Sequence, residues 1–362
     1  MSNSTEKSAN AVEVLNSSPE NLRYIDVDFS NIRLSGFAFR KAGGAFQRLP
    51  DDPELPRAVT VLARNTAGGR IDFVSNTTRI WIKVKLFEAC HMDHMPDTGS
   101  CGFDLYMGEP GKSYFIGTSR AKTGANRYES KMHDFLLDGD FHNFTLNLPL
   151  YSGVKSLKIG IDPDAEIRSP APWSDPKPMI FYGTSITQGG CASRPGMAYP
   201  AILSRRFNRP ALNFGFSGSG RGEESVARHL AAIENPGAYI LDYDANTNLE
   251  EMKNTLEKFI SILRTAHPQV PLIVLSGPRY NREIVLSCDT DTPRREKLLS
   301  AEFQENTVKK LRAAGDENIY FIHGGKLCGE WWHEVTVDGV HATDLGFFMM
   351  AENLSKILAE IL

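Results

Sequence analysis

Cysteine is scarce in this chain: five in 362 residues, at Cys90, Cys101, Cys191, Cys288 and Cys328. An odd number at wide spacing is no disulfide framework and fits a reducing compartment. Long apolar runs are missing. No stretch reaches the roughly 18 consecutive apolar residues that a membrane-spanning helix needs, so no membrane partner is expected. A surplus of one charge is missing too. Against 40 Lys and Arg stand 44 Asp and Glu, a formal net charge of −4, and the basic residues are scattered. That excludes a basic face for nucleic acid. The opening Met-Ser-Asn-Ser-Thr-Glu-Lys lacks the apolar centre of a signal peptide, so the expected location is cytoplasmic; a secreted form already trimmed would read the same way.

What is present changes texture along the chain. Residues 1–20 are polar and read as a lead-in. From 21 to 168 short runs with partial period-2 alternation recur, at 59–62, 71–74, 80–87, 103–107, 113–116, 141–148 and 156–161. Turn residues separate them, which predicts a β-sandwich or jelly roll. Residues 169–177 are rich in proline and read as a stiff linker. From 178 to 362 strands and helices alternate. Strands are predicted at 179–182, 211–216, 238–241, 272–275 and 319–322. Helices are predicted at 198–208, 223–234, 249–266, 293–314 and 344–361, with Asn248 capping the third and Thr292 the fourth. In the last helix Leu345, Phe348, Met349, Leu354, Ile357 and Leu358 read as the core face. Such alternation predicts an α/β, flavodoxin-like five-stranded parallel sheet.

The strand ends carry the chemistry. The first runs into Gly183-Thr184-Ser185, placing a hydroxyl at the carboxyl edge of the sheet, where α/β folds bind ligands. A nearby base would make Ser185 a nucleophile; capping a helix is its blander use. The second strand ends in a glycine-rich loop, Gly215-Phe216-Ser217-Gly218-Ser219-Gly220, without the Gly-Lys-Ser/Thr of a phosphate-binding loop. The third ends in Asp242-Tyr243-Asp244-Ala245-Asn246-Thr247-Asn248. Ahead of the last helix stands Asp338-Gly339-Val340-His341. A turn at Gly339 would let the carboxylate fix one imidazole nitrogen and leave the other to take a proton.

These four blocks, in this order, resemble the SGNH hydrolases, also called GDSL-type esterases. Thr184 stands where that family usually has Asp, and the third block departs from the usual Gly-x-Asn-Asp, so Asn248 competes with Asn246. In the first domain Gly102-Phe103-Asp104-Leu105-Tyr106 resembles the Gly-x-Asp-Leu-Tyr motif of a β-domain found ahead of certain SGNH hydrolases. The resemblance implies a serine esterase. Ser185 would be the nucleophile, His341 the base and Asp338 its orienting acid, with Ser185, Gly218 and Asn246 forming an oxyanion hole. The implied substrate is a small acyl ester, acetyl foremost, on a carbohydrate or natural product. An acyltransferase using the same acyl-enzyme, or an inactive binding protein, are the alternatives. No cofactor is called for, and the oligomeric state is left open.

The stretch Cys90-His91-Met92-Asp93-His94, followed by Cys101, matches no common zinc spacing, so no metal is expected there. It reads instead as a long loop that could lay His91 or His94 over the crevice as substrate contacts. Trp332 could wall a sugar or acyl pocket. Cys191 reads as a buried inert thiol, and Arg194 and Arg221 as solvated.

Overall fold

The computed structural model describes residues 21–134, 139–281, 283 and 293–362. Strands β1 (Arg23–Asp26), β2 (Arg33–Ser35), β3 (Arg70–Ser75), β4 (Arg79–Leu86), β5 (Asp104–Met107), β6 (Tyr114–Thr118), β7 (Arg127–Asp134), β8 (His142–Asn147), β9 (Val154–Ile161) and β10 (Ile167–Arg168) form two antiparallel sheets. One has the order β1-β9-β4-β7 and the other β10-β3-β8-β5-β6, with β2 paired to β3. Both contribute to one core, including Phe73, Ile82, Phe103, Phe144 and Ile159. Two sheets sharing an apolar layer are a sandwich.

Two short helices interrupt these strands, α1 (Arg57–Leu62) and α2 (Asp97–Ser100). The run at 59–62 is therefore helix and not the strand its β-branched residues suggest. Its Val59 is fully buried, with Leu55 and Ala63, in a cluster shared with the α/β sheet, while Val61 faces solvent. Docking on that foreign core outweighs the residues' strand preference. Strand β7 goes unread in the sequence because its polar residues hide a strand defined by pairing with β4.

The second domain holds β11 (Met179–Gly183), β12 (Ala211–Gly215), β13 (Ala238–Asp242), β14 (Leu272–Leu275) and β15 (Ile319–Ile322), all parallel, in the order β12-β11-β13-β14-β15. This is the flavodoxin-like arrangement. Every residue of the first four strands is buried, as expected for a sheet covered on both faces. The helices are α3 (Ser185–Gln188), α4 (Tyr199–Phe207), α5 (Glu224–Ala231), α6 (Leu249–Ala266), α7 (Pro293–Ala313) and α8 (Asp344–Ile361). Asn248 caps α6 in a full capping box with Glu251. Thr292 lies outside the described residues, as do residues 1–20. The inward face of α8 is Gly346, Phe347, Met350, Ala351, Leu354 and Leu358. Leu345, Phe348 and Ile357 face outward. Apolar residues surround much of this helix, so composition alone does not fix its phase.

The two domains meet in a buried contact. The fully buried Arg48 donates from Nη1 to the carbonyls of Asn213 (2.9 Å) and Gly215 (2.6 Å), and from Nη2 to Leu62 (2.7 Å). No carboxylate pairs with it in these bonds; three carbonyls and the Phe216 ring, 4.7 Å away, solvate its charge. Among the described residues no helix is long and apolar enough to cross a membrane.

Candidate active site

Strand β11 ends at Gly183 and the chain turns at once into α3, whose first residue is Ser185. Thr184 caps this turn: its hydroxyl accepts from the Ile186 N–H at 3.3 Å. The residue that departs from the family's Asp therefore still closes the helix start. The first domain supports the turn from behind. Gln188 Nε2 donates to the Leu150 carbonyl at 3.0 Å, and the Thr98 hydroxyl to the Ser193 carbonyl at 2.6 Å.

The segment ahead of α8 folds back on itself. Val337 N–H donates to the His341 carbonyl at 2.8 Å and Thr343 N–H to the Val335 carbonyl at 2.8 Å. Gly339 at the tip has φ +87°, a left-handed conformation that suits glycine. The hairpin brings Asp338 and His341 together. Asp338 Oδ1 accepts from the N–H groups of Val340 (3.0 Å) and His341 (2.8 Å), and Oδ2 from His341 Nδ1 (2.7 Å). Burial alone would raise the Asp338 pKa, but the bonds from the His341 ring and the two N–H groups prevail and pull it down to about 2. With Nδ1 carrying the proton toward Asp338, Nε2 is the acceptor. It lies 2.9 Å from Ser185 Oγ. A hydroxyl, an imidazole and a carboxylate thus stand in one line, able to move a proton from Ser185 to His341.

Gly218, in the loop after β12, has φ +67°, and a side chain there would meet nothing within 4 Å, so its backbone borders open space. Asn246 sits on a single 3₁₀ turn after β13, and its side-chain amide donates to the Ser219 carbonyl. That uses one of the amide's two hydrogens. Asn248 is spent on α6, accepting from Glu251 N–H at 2.8 Å.

His94 comes from the first domain, at the tip of a turn closed by a bridge between Met92 and Met95. Its ring lies 5.6 Å from that of His341. His91 instead turns to Asp97, at 2.6 Å, and is mostly exposed. Trp332 is buried, with the Arg279 guanidinium 3.8 Å over its ring, while its neighbour Trp331 is exposed. Arg194 is not solvated as read from the sequence: it faces Asp104 at 3.2 Å and stacks on Phe115 at 3.9 Å. Arg221 pairs with Glu251 at 3.0 Å near the surface.

Sequence reasoning passed over Asp242. It ends β13 fully buried beneath α3, accepting from Thr187 Oγ1 at 2.8 Å and Tyr199 O–H at 2.9 Å. Burial pushes its pKa up to about 7, against the pull of those two bonds. Only the strand register, which sets Asp242 opposite Gly183, reveals its closeness to the Ser185 turn.

Residues 176–359 match the family described as GDSL-like lipase/acylhydrolase, and residues 22–167 match the N-terminal GxDLY region of SGNH-hydrolase-type esterases. The chain belongs to the GDSL-like lipase/acylhydrolase family. It is a carboxylic ester hydrolase by membership. A crystal structure described as a GDSL-like lipase from Bacteroides ovatus is 32% identical and superposes with a TM-score of 0.84, over 94% of this chain and 98% of that one. A salicylyl-acyltransferase from a tetracycline biosynthetic pathway shares the fold at 17% identity and TM-score 0.75, over 95% of this chain and 98% of its own. A family two carbohydrate esterase from Clostridium thermocellum, in complex with cellohexaose, does so at 15% and 0.55, over 81% and 92%. No curated protein sequence matches the chain.

Proposed function

We propose that this family member is a serine esterase that removes a small acyl group, acetyl foremost, from a carbohydrate or natural-product alcohol. The observation that carries the reading is the hydrogen-bonded line from Ser185 Oγ through His341 to Asp338, with steps of 2.9 and 2.7 Å. Ser185 Oγ attacks the ester carbonyl while His341 Nε2 takes its proton. Asp338 holds the imidazole in the right tautomer and offsets the charge it gains. The N–H groups of Ser185 and Gly218 and the remaining amide hydrogen of Asn246 receive the oxyanion. Each such donor contributes about 2.7–4 kcal/mol to lowering the barrier. His341 then returns the proton to the leaving alcohol, and water, activated by the same imidazole, releases the acid.

The carbohydrate half of the reading draws on the carbohydrate esterase that shares the fold. His94, reaching over from the first domain, is the first candidate for contact with the alcohol portion of a substrate; His91, turned to Asp97, and the buried Trp332 are secondary candidates. The testing experiment is a series of nitrophenyl esters from acetyl to octanoyl, together with acetylated sugars, with and without an added alcohol acceptor. Acetyl esters should give the highest kcat/KM, and Ser185→Ala should give no turnover. A preference for octanoyl would overturn the small-acyl assignment. Transfer to the added alcohol in preference to water would make the enzyme an acyltransferase.

A further inference from the structure

Three donors remote in sequence converge above the candidate nucleophile. A ring nitrogen of His94, the Cys191 thiol and a ring nitrogen of His341 all lie within 4.8 Å of one another. His94 belongs to the first domain and the other two to the second. Among the described residues no grouping of His91 with Cys90 and Cys101 comes as close. The zinc pattern absent from the local sequence is thus met by residues that only the fold brings together.

Several features suit a metal. Each histidine already has its Nδ1 against a carboxylate: His94 with Asp93 at 3.0 Å, His341 with Asp338 at 2.7 Å. That leaves Nε2 of each ring to bind. It is also the carboxylate–histidine pairing that orients imidazoles around metal ions. Cys191 is 4% exposed and forms the floor, while both histidines are partly open to solvent above it. Its position is fixed, because its N–H donates to the Ala342 carbonyl at 3.1 Å, next to His341. Tetrahedral zinc, with Zn–N about 2.0–2.1 Å and Zn–S about 2.3 Å, needs ligand atoms roughly 3.3–3.6 Å apart. The trio must therefore close by little more than about 1 Å, and His94 stands on a turn at the surface of the first domain. Two imidazoles and a thiolate select zinc over magnesium or calcium, which take oxygen ligands.

We propose that His94, Cys191 and His341 bind one Zn²⁺ ion, and that the bound ion switches the esterase off. The Cys191 thiol gives its proton to solvent and forms a Zn–S bond. The His341 Nε2 lone pair goes to the metal, so the hydrogen bond from Ser185 is lost and the base is blocked. No electrons are transferred, and a chelator reverses every step. The inhibitory half rests on His341 being the base, as proposed above; the binding half does not.

The test titrates the full-length enzyme with Zn²⁺, and with Cd²⁺ as an optical substitute. Calorimetry gives stoichiometry, the ultraviolet thiolate-to-Cd²⁺ band reports the sulfur, and nitrophenyl acetate hydrolysis reports activity. The expected result is one ion per chain, a thiolate band, activity falling in step with occupancy, and recovery with EDTA; Mg²⁺ does none of this. Cys191→Ser should keep its metal-free activity, lose the band, and need at least tenfold more Zn²⁺ for half-inhibition. His94→Gln should weaken binding by a similar factor in calorimetry. An absent band in the wild type, or unchanged zinc affinity in both variants, would overturn the site. Binding that depends on Cys191 but leaves turnover undiminished would overturn His341 as the base and leave the metal site standing.

Discussion

The Asp104 carboxylate, on strand β5 of the first domain, accepts a hydrogen bond from the Gly196 N–H of the second at 2.7 Å. The same oxygen faces Arg194 Nη1 at 3.2 Å, the other accepts from Asn147 Nδ2 at 2.7 Å, and the Tyr106 hydroxyl also meets Arg194. The acid and the tyrosine of Gly-x-Asp-Leu-Tyr therefore clasp the segment that follows α3, the helix that Ser185 begins. The motif joins the two domains.

Removing that acid should be costly. Asp104 is fully buried, so Asp104→Ala leaves the Gly196 N–H without its acceptor and the Arg194 charge without its carboxylate, with only the Tyr106 hydroxyl remaining. Breaking such a buried pair costs about 3–5 kcal/mol. Denaturant unfolding of the variant should show a loss of that size, and kcat should fall with it because this segment runs on from Gly190, whose N–H donates to the Ser185 carbonyl at 2.9 Å. A loss below about 1 kcal/mol would mean the clasp is incidental.

Asp338→Asn should remove nearly all activity while leaving the fold intact. Asn can still accept the Val340 and His341 N–H bonds through its oxygen. Its amide then faces Nδ1 with a donor, which moves the imidazole proton to Nε2, where Ser185 needs an acceptor. A wrong tautomer of this kind costs about 10⁴-fold in kcat in a well-studied triad. Because the Asp338 pKa is held at about 2, the acid stays ionised above about pH 4, so the acid limb of the wild-type profile belongs to another group. The check is kcat/KM for both proteins across about pH 5 to 9; a loss under about tenfold would deny Asp338 its orienting role.

Asp242 makes stability depend on pH. Its folded pKa is raised from 3.8 to about 7, so between those values the folded protein holds a proton that the unfolded chain has released. Stability accordingly falls as pH rises through that window and levels off above it. Asp242→Asn should flatten this dependence. Unfolding free energies at about pH 5 and about pH 8 measure it: the wild type should lose stability between them, and the variant should lose less. Parallel curves would show that Asp242 is ionised throughout.

Much of this was legible in the sequence because strong local signals agree with the global fold. Strands β14 and β15 and helices α6 and α8 have the bounds their patterns predict. The four blocks announce the family because each sits at a strand end or turn, where sequence order maps onto the crest of the sheet. What was not legible depends on partners distant in the chain. The helix at Val59 exists because another domain's core receives it. The pairing of Arg194 with Asp104, the burial of Asp242, and the meeting of His94 with Cys191 and His341 all follow from packing that no local window contains.

Ser185 is the residue proposed to carry the acyl group. The most direct measurement is labelling with a fluorophosphonate, followed by peptide mass analysis, alongside hydrolysis of nitrophenyl acetate by wild type and Ser185→Ala. The expected result is one label per wild-type chain, located on Ser185, no labelling of the variant, and a variant rate below about one-thousandth of wild type. Label on another residue, or turnover by the variant above that level, would contradict it.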